Sequence, residues 1–205
     1  MIVGAVVLAA GKSKRMGQNK LLLTLNHKTL IENVLDALSD AGVNEQVIVL
    51  GHDIEPIIQV IRPRLGRIKI ALNLAEGADM ASSFQTGLQV LPWVEAAFLV
   101  LGDQPILDPN LLLTMMQKIE GNPEALIVSP IHKGKKGHPL LFRRQLFGEI
   151  LSLKGNQTVR DVVHSNDDRL VTFEAPEWTI MDIDTAEDYE RMRRLIKNGP
   201  AAPPP

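Results

Sequence analysis

The residues best suited to chemistry begin directly after the first apolar run, residues 2–9. There the chain reads Leu8-Ala9-Ala10-Gly11-Lys12-Ser13-Lys14-Arg15-Met16-Gly17-Gln18-Asn19-Lys20. Glycine lets backbone amides come close to phosphate oxygens, and Lys12, Lys14, Arg15 and Lys20 supply positive charge against them. A second such place is Leu101-Gly102-Asp103-Gln104-Pro105, at the end of another apolar run. A carboxylate at a strand's carboxyl end can hold a hard divalent cation against phosphate oxygens. Forming a turn is the plain structural use of the same aspartate. A third is Asp182-Ile183-Asp184, where alternation along an extended segment puts both carboxylates on one side. Thr185 or Asp184 could equally cap the helix that follows.

Two familiar phosphate loops can be tested against residues 8–20. A P-loop needs a glycine five residues before Gly11, and that position is Val6. The dinucleotide fingerprint G-x-G-x-x-G fails as well. Starting it at Gly11 puts Ser13 at its second glycine, and ending it at Gly17 puts Lys12 and Lys14 at its first two. What remains from local pattern alone is a basic, glycine-bearing turn between a strand and the next element.

The elements that must carry these loops are legible from apolar patterning. Residues 2–9, 47–50, 68–72, 96–101 and 125–128 are short, largely continuous apolar runs, the mark of strands buried on both faces. Helical patterns lie between them. Residues 29–41 put Leu30, Val34, Leu35 and Leu38 on one face and end at Gly42. Residues 54–61 stop near Pro63, residues 82–91 start at Ser82 or Ser83 as cap, and Asp108-Pro109 opens another helix. This alternation predicts a three-layer α/β domain with a mostly parallel sheet. After about residue 130 the pattern predicts a Lys/Gly-rich loop, helices near 143–151 and 158–164, two short strands, and a helix over 185–196. One domain over residues 1–198 and a disordered tail over 199–205 are expected, with no repeat.

Bulk composition narrows the partners. The 205 residues are 45% apolar and carry a net charge of −2, so nucleic acid is not an expected partner. No cysteine is present, which excludes disulfides and thiolate metal sites. No run approaches the roughly 20 apolar residues of a membrane span. The N-terminus is apolar before it is basic, the reverse of a secretory signal, so a cytoplasmic location is expected. Positive charge is concentrated. Residues 1–31 and 125–148 contain no acid, and the second holds Lys133, Lys135, Lys136, Arg143 and Arg144. Two basic segments in an acidic chain suit two anionic ligands, or two solvated loops.

Taken whole, Leu-Ala-Ala-Gly-x-Ser-x-Arg-Met-Gly-x-x-Lys at residues 8–20 resembles the signature loop of the molybdenum cofactor nucleotidyltransferase family. Ala10-Gly11, where the guanylyltransferases more usually have two glycines, and the form Gly102-Asp103-Gln104-Pro105 look most like its cytidylyltransferase branch. The resemblance spans about residues 2–190 and implies a Rossmann-like nucleotidyltransferase fold. It implies that Leu8, Ala9, Ala10, Gly11 and Ser13 bind nucleotide, with Arg15 and Lys20 on the triphosphate. It gives Asp103 and Asp184 to Mg²⁺ (or Mn²⁺), with Asp182 in reserve. Residues 76–88 are similar to the family's loop beside the base, with Ser82 and Ser83 as donors there or as helix caps, and Leu74 near the base pocket. Gly137-His138-Pro139 resembles a triplet near the acceptor, though a lone histidine is more often structural. The segment over residues 155–161 matches more weakly and contributes Arg160.

The implied reaction is transfer of CMP from CTP to the phosphate of molybdopterin cofactor. A molybdenum hydroxylase is the implied downstream partner. Guanylyl or sugar-phosphate nucleotidyl transfer would use the same parts. A cofactor-binding or delivery protein of the same fold would need fewer of them.

Overall fold

The computed structural model of the chain describes residues 1–11, 19–25, 27–43, 45–52, 54–183 and 185–197. Ser13, Arg15, Asp184 and the expected tail at 199–205 therefore lie outside the described residues. The elements follow in chain order as β1 (Val3–Ala9), β2 (Thr24–Leu25), β3 (Lys28–Thr29), α1 (Leu30–Asp40), β4 (Glu45–Leu50), α2 (Glu55–Ile61) and β5 (Ile68–Leu72). Next come α3 (Met80–Val90), β6 (Ala96–Leu101), α4 (Pro109–Glu120), β7 (Ile127–His132), β8 (Lys135–Lys136) and β9 (Leu140–Arg143). The last are α5 (Phe147–Ser152), α6 (Val159–Ser165), β10 (Leu170–Glu174) and α7 (Ala186–Lys197).

The main sheet has the order β10-β7-β9-β6-β1-β4-β5, with β8 paired to β7. β1 is parallel to both β4 and β6, β4 to β5, and β7 to β10. β9 is antiparallel to both β6 and β7, so β7 runs in the same direction as β6 and β1. The carboxyl ends of β1, β4, β6 and β7 thus share one edge, the edge where open α/β sheets place ligands. The expected three-layer, mostly parallel α/β architecture is what the chain adopts.

Ala5, Val6 and Val7 are fully buried because β1 is covered on both faces. Ala5 and Val7 face a core shared with Leu35 and Leu38 of α1 and with Leu112 and Met115 of α4. Val6 faces the opposite core, with Phe84 and Leu88 of α3, Ile150 of α5 and Val162 of α6. Gly87 permits this packing, since a Cβ there would come within 2.2 Å of Val6. α1 starts where the sequence signals it. Thr29 and Glu32 form a reciprocal capping box, and Gly42 follows the helix at φ +78°.

Four expectations need correction. α3 begins at Met80, with Asp79 rather than Ser82 or Ser83 as cap. The Lys/Gly-rich loop is the hairpin of β7 and β8. The helix expected over 143–151 is the end of β9, a 3₁₀ turn Arg144–Leu146, and then α5. Only one of the two late strands forms, β10; the other stretch holds the 3₁₀ turn Glu177–Ile180. In each case a cap or a long-range pairing overrides a short local pattern.

Candidate active site

The end of β1 lies in a trough made by its two neighbours. Gly51 follows β4, and a Cβ on it would stand 2.7 Å from the Ala10 carbonyl oxygen. Gly102 follows β6, and its Cβ would stand 2.7 Å from the Leu8 oxygen, to which its own amide donates at 2.9 Å. Only glycine lets both turns close this tightly, and together they fix the backbone over residues 8–10.

Above this trough lies a cleft of about 260 Å³. Leu8, Ala9, Ala10 and Gly11 line one side, Lys20, Leu21, Leu101 and Asp103 another, and Ala78, Asp79, Met80 and Ser83 close it. Lys20 opens a 3₁₀ turn capped by Asn19, whose side-chain oxygen accepts from the Leu21 amide at 3.1 Å. Its Nζ stands 3.4 Å from a carboxylate oxygen of Asp103, and its side chain is only 15% exposed against 37% for Asp103. A half-buried cation and anion in one cleft can take up, respectively, an anionic oxygen and a cation.

The third wall is held by a polar knot. Asp79 accepts from the Ser82 amide at 2.8 Å, and Ser82 Oγ accepts from the Asp79 amide at 3.0 Å. Asn73, 6% exposed, donates through its side-chain nitrogen to Ser82 Oγ at 3.0 Å and Ser83 Oγ at 3.1 Å. Ser82 thus acts in the capping box and faces a neighbouring hollow that holds Lys154, Gly155 and Gln157. Ser83 reaches the cleft. Leu74 is 48% exposed and lines neither space. The pattern Asp79-x-x-Ser82 could have revealed the cap; nothing local points to Asn73.

Beyond Asp103 the chain turns with the Gln104 amide donating to the Leu101 oxygen at 3.2 Å. Gln104 is 4% exposed, and its Nε2 donates to the His138 carbonyl at 3.0 Å. The His138 amide in turn donates to the Thr179 carbonyl at 2.8 Å. Gln104 Oε1 and His138 Nδ1 are both buried without a hydrogen-bond partner among the described residues. An unpaired buried polar atom costs about 1–3 kcal/mol. Burial pushes the His138 imidazole down to about 4; the Asp103 charge opposes that, and the Arg160 charge adds to it. His138 is therefore neutral near pH 7. These couplings bring Asp103, His138 and the exposed Arg160 of α6 into one electrostatic neighbourhood.

The second basic segment differs. Lys136 pairs with Asp167 at 2.7 Å, with both side chains substantially exposed, and Lys133 and Lys135 are exposed in the same hairpin. His132 bonds the Ala175 carbonyl at 2.8 Å and stands 3.6 Å from Glu174.

For a divalent cation, the described donors are Asp103 in the cleft and the exposed Asp182. No group of three or more His, Cys, Asp or Glu residues converges among the described residues. Mg²⁺ usually needs only one or two carboxylates, with waters and substrate phosphates completing its shell, so the donor chemistry fits. Between the two aspartate positions 182 and 184, Ile183 is buried with Leu23, Leu25, Leu30 and Met192, which anchors the segment. The cap of α7 is Thr185: its Oγ1 accepts from the Asp188 amide at 3.1 Å, and Asp188 accepts from the Thr185 amide at 2.8 Å.

No helix among the described residues is long and apolar enough to cross a membrane. The chain's residues 5–170 match the model of the MobA-like NTP transferase domain. It is 24% identical to a protein of Natranaerobius thermophilus named probable molybdenum cofactor guanylyltransferase, over 95% of this chain and 96% of that one. A Pyrococcus furiosus protein of the same name is 27% identical, over 96% and 99%. Among solved structures, Rv0371c from Mycobacterium tuberculosis H37Rv superimposes with a TM-score of 0.82 and 28% identity, over 94% of this chain and 97% of that one. Its complex with manganese gives 0.78 and 27%, over 95% and 99%. The chain therefore belongs to the MobA-like NTP transferase domain family and is a nucleotidyltransferase.

Proposed function

We propose that the chain transfers CMP from CTP to the phosphate of molybdopterin cofactor and releases pyrophosphate. The observation that carries this reading is the single cleft that gathers the Ala10-Gly11 turn, Lys20, Ser83 and Asp103. A phosphate monoester is already an anionic nucleophile near neutral pH, so no general base is required. It attacks the α-phosphorus, the new P–O bond forms, and the bond to pyrophosphate breaks. The protein's task is to hold two anions together and to stabilise the charge of the leaving group.

Residues 8–11 carry the nucleotide with backbone groups, together with Ser13, and Lys20 exchanges Asp103 for triphosphate oxygens. Arg15 adds charge from the same loop. Asp103 and Asp184 would hold Mg²⁺, or Mn²⁺ in its place, and when bound it would supply charge neutralisation to the triphosphate and to the leaving pyrophosphate. Ser83 donates to the base or ribose from the cleft wall, and Ser82 and Leu74 support that wall from behind; that Asp79 and Met80 line the same wall is in keeping with this reading. His138 and Arg160 belong to the acceptor side. Residues 1–198 act as one domain, and the product passes to a molybdenum hydroxylase in the cytoplasm.

The cytosine assignment rests on Ala10-Gly11 and on Gly102-Asp103-Gln104-Pro105. The names of the relatives favour a second reading, GMP transfer from GTP. Direct competition decides between them, with pyrophosphate release measured in the presence of Mg²⁺ and acceptor. CTP should be preferred at least about tenfold, roughly 1.4 kcal/mol. Equal use, or preference for GTP, would sink the cytosine assignment and leave nucleotidyl transfer intact.

A further inference from the structure

The cleft aspartate and the aspartates at 182 and 184 come from parts of the chain that are about 80 residues apart. A short polar bridge spans that separation. Gln104, the neighbour of Asp103, donates to the carbonyl of His138 at 3.0 Å. The amide of His138 donates to the carbonyl of Thr179 at 2.8 Å. Thr179 is 3% exposed and is tied by its own Oγ1 to the Pro176 carbonyl at 2.9 Å. Three residues later the chain reaches Asp182. Gly137 keeps the bridge short, since a Cβ on it would stand 2.5 Å from the Thr179 oxygen.

We propose that Gln104 is a positioning residue which, through the backbone of His138 and Thr179, sets where the segment that leads to Asp182 stands relative to Asp103. The inference rests on the reading of those aspartates as metal ligands. It explains why position 104 is polar at all. Gln104 is buried, and its carbonyl oxygen has no partner among the described residues. An apolar side chain of similar size would avoid that penalty. Among the described residues, the bond its side-chain amide makes goes to His138, the residue whose own amide reaches Thr179. Two carboxylates on separate segments hold one small ion well only when their spacing is fixed, as the residues behind metal ligands generally ensure.

Two substitutions test the bridge at different links. Gln104→Leu removes the side-chain donor, and Gly137→Ala pushes on the Thr179 carbonyl without touching the turn of Asp103. In each, Mn²⁺ affinity in the presence of CTP, and separately GTP, is read by electron paramagnetic resonance, with thermal melting beside it. The positioning role expects the Mn²⁺ dissociation constant to rise about tenfold in each, comparable with losing a residue that supports a metal ligand. Nucleotide binding in EDTA should be unchanged, and the Gln104→Leu melting temperature should stay near wild type. Folded variants whose Mn²⁺ affinity lies within twofold of wild type would overturn the inference alone. Failure of both variants to fold would make the bridge purely structural and overturn it too. A wild-type chain that binds no Mn²⁺ with either nucleotide would overturn the metal-site reading and this inference together.

Discussion

The two basic regions of the chain are built in opposite ways. Around β1, the loop backbone is clamped by Gly51 and Gly102, and the cation Lys20 is largely buried beside Asp103. Around β7 and β8, the lysines stand in an exposed hairpin, where Lys136 meets Asp167 across solvent. Among the described residues the first arrangement is preorganised: the backbone over residues 8–10 and the Lys20–Asp103 pair are in place before a ligand arrives, so each acts strongly. The second is a field of loosely held charges, and solvent screening leaves each exposed pair of this kind with little effect of its own. On the proposed function, the first region would serve the triphosphate and the second the capture of the acceptor.

The contrast predicts its largest effect at the buried side. Asp103→Asn keeps the shape of the turn and removes the charge. Turnover should fall at least about 100-fold, similar in scale to losing one electrostatic stabiliser, with the melting temperature unchanged. Steady-state pyrophosphate release at saturating Mg²⁺ measures this. Near-normal turnover would leave Asp103 as a turn residue and erase the difference between the regions.

The same contrast explains what the sequence discloses. β5 and β6 lie where their apolar runs place them, and Asp108-Pro109 opens α4, because continuous runs and caps are local signals. Leu8 to Gly11, Lys20 and Asp103 meet in one cleft because all sit at the carboxyl end of a parallel strand or in the loop after it. From β7 onward local signals weaken. The insertion of β9 between β6 and β7 depends on pairing partners far apart in sequence. The partnerships of Asn73 and Gln104 are equally long-range, so their residue types alone do not announce them. Ser82 was ambiguous for another reason: one hydroxyl suits a ligand or a helix end, and Asp79 three residues before it decides for the helix end.

His138 marks the border between the two regions, and its expected effect is intermediate. Its folded value of about 4 lies below the ordinary histidine value of 6.5. Above pH 6.5 the ring is neutral folded and unfolded, and its environment carries no penalty. As pH falls from 6.5 toward 4, the unfolded chain takes up the proton first, so folding stability declines. At pH 5 the loss should be roughly 2 kcal/mol. Thermal melts of the wild type and of His138→Asn between pH 7 and pH 5 measure it. The wild type should lose more stability than the variant; parallel slopes would mean that the imidazole is not held neutral by burial.

The smallest effect belongs to the exposed hairpin, and there the dependence on salt says more than its size. Replacing Lys133, Lys135 and Lys136 together by Gln removes three positive charges from exposed positions. It also leaves the Asp167 carboxylate without its Lys136 partner, so an uncompensated negative charge remains beside the hairpin. Such charges act jointly by raising the local concentration of an anionic ligand. The acceptor KM should rise only a few-fold, while the KM for CTP and kcat stay near wild type. Screening shortens from about 8 Å at physiological ionic strength to about 3 Å at 1 M, so the penalty should shrink as salt is added. Lys20→Ala is the matched opposite. It sits beside Asp103 in the cleft, and its loss should damage kcat and CTP use, spare acceptor binding, and depend less on salt because the site is partly buried. Varying each substrate separately for both variants, each at low and high salt, separates the two roles. A triple variant that weakens CTP and spares the acceptor would reverse the division of labour between the two regions. A KM penalty that persists undiminished at high salt would show that the hairpin lysines make close contacts rather than a field.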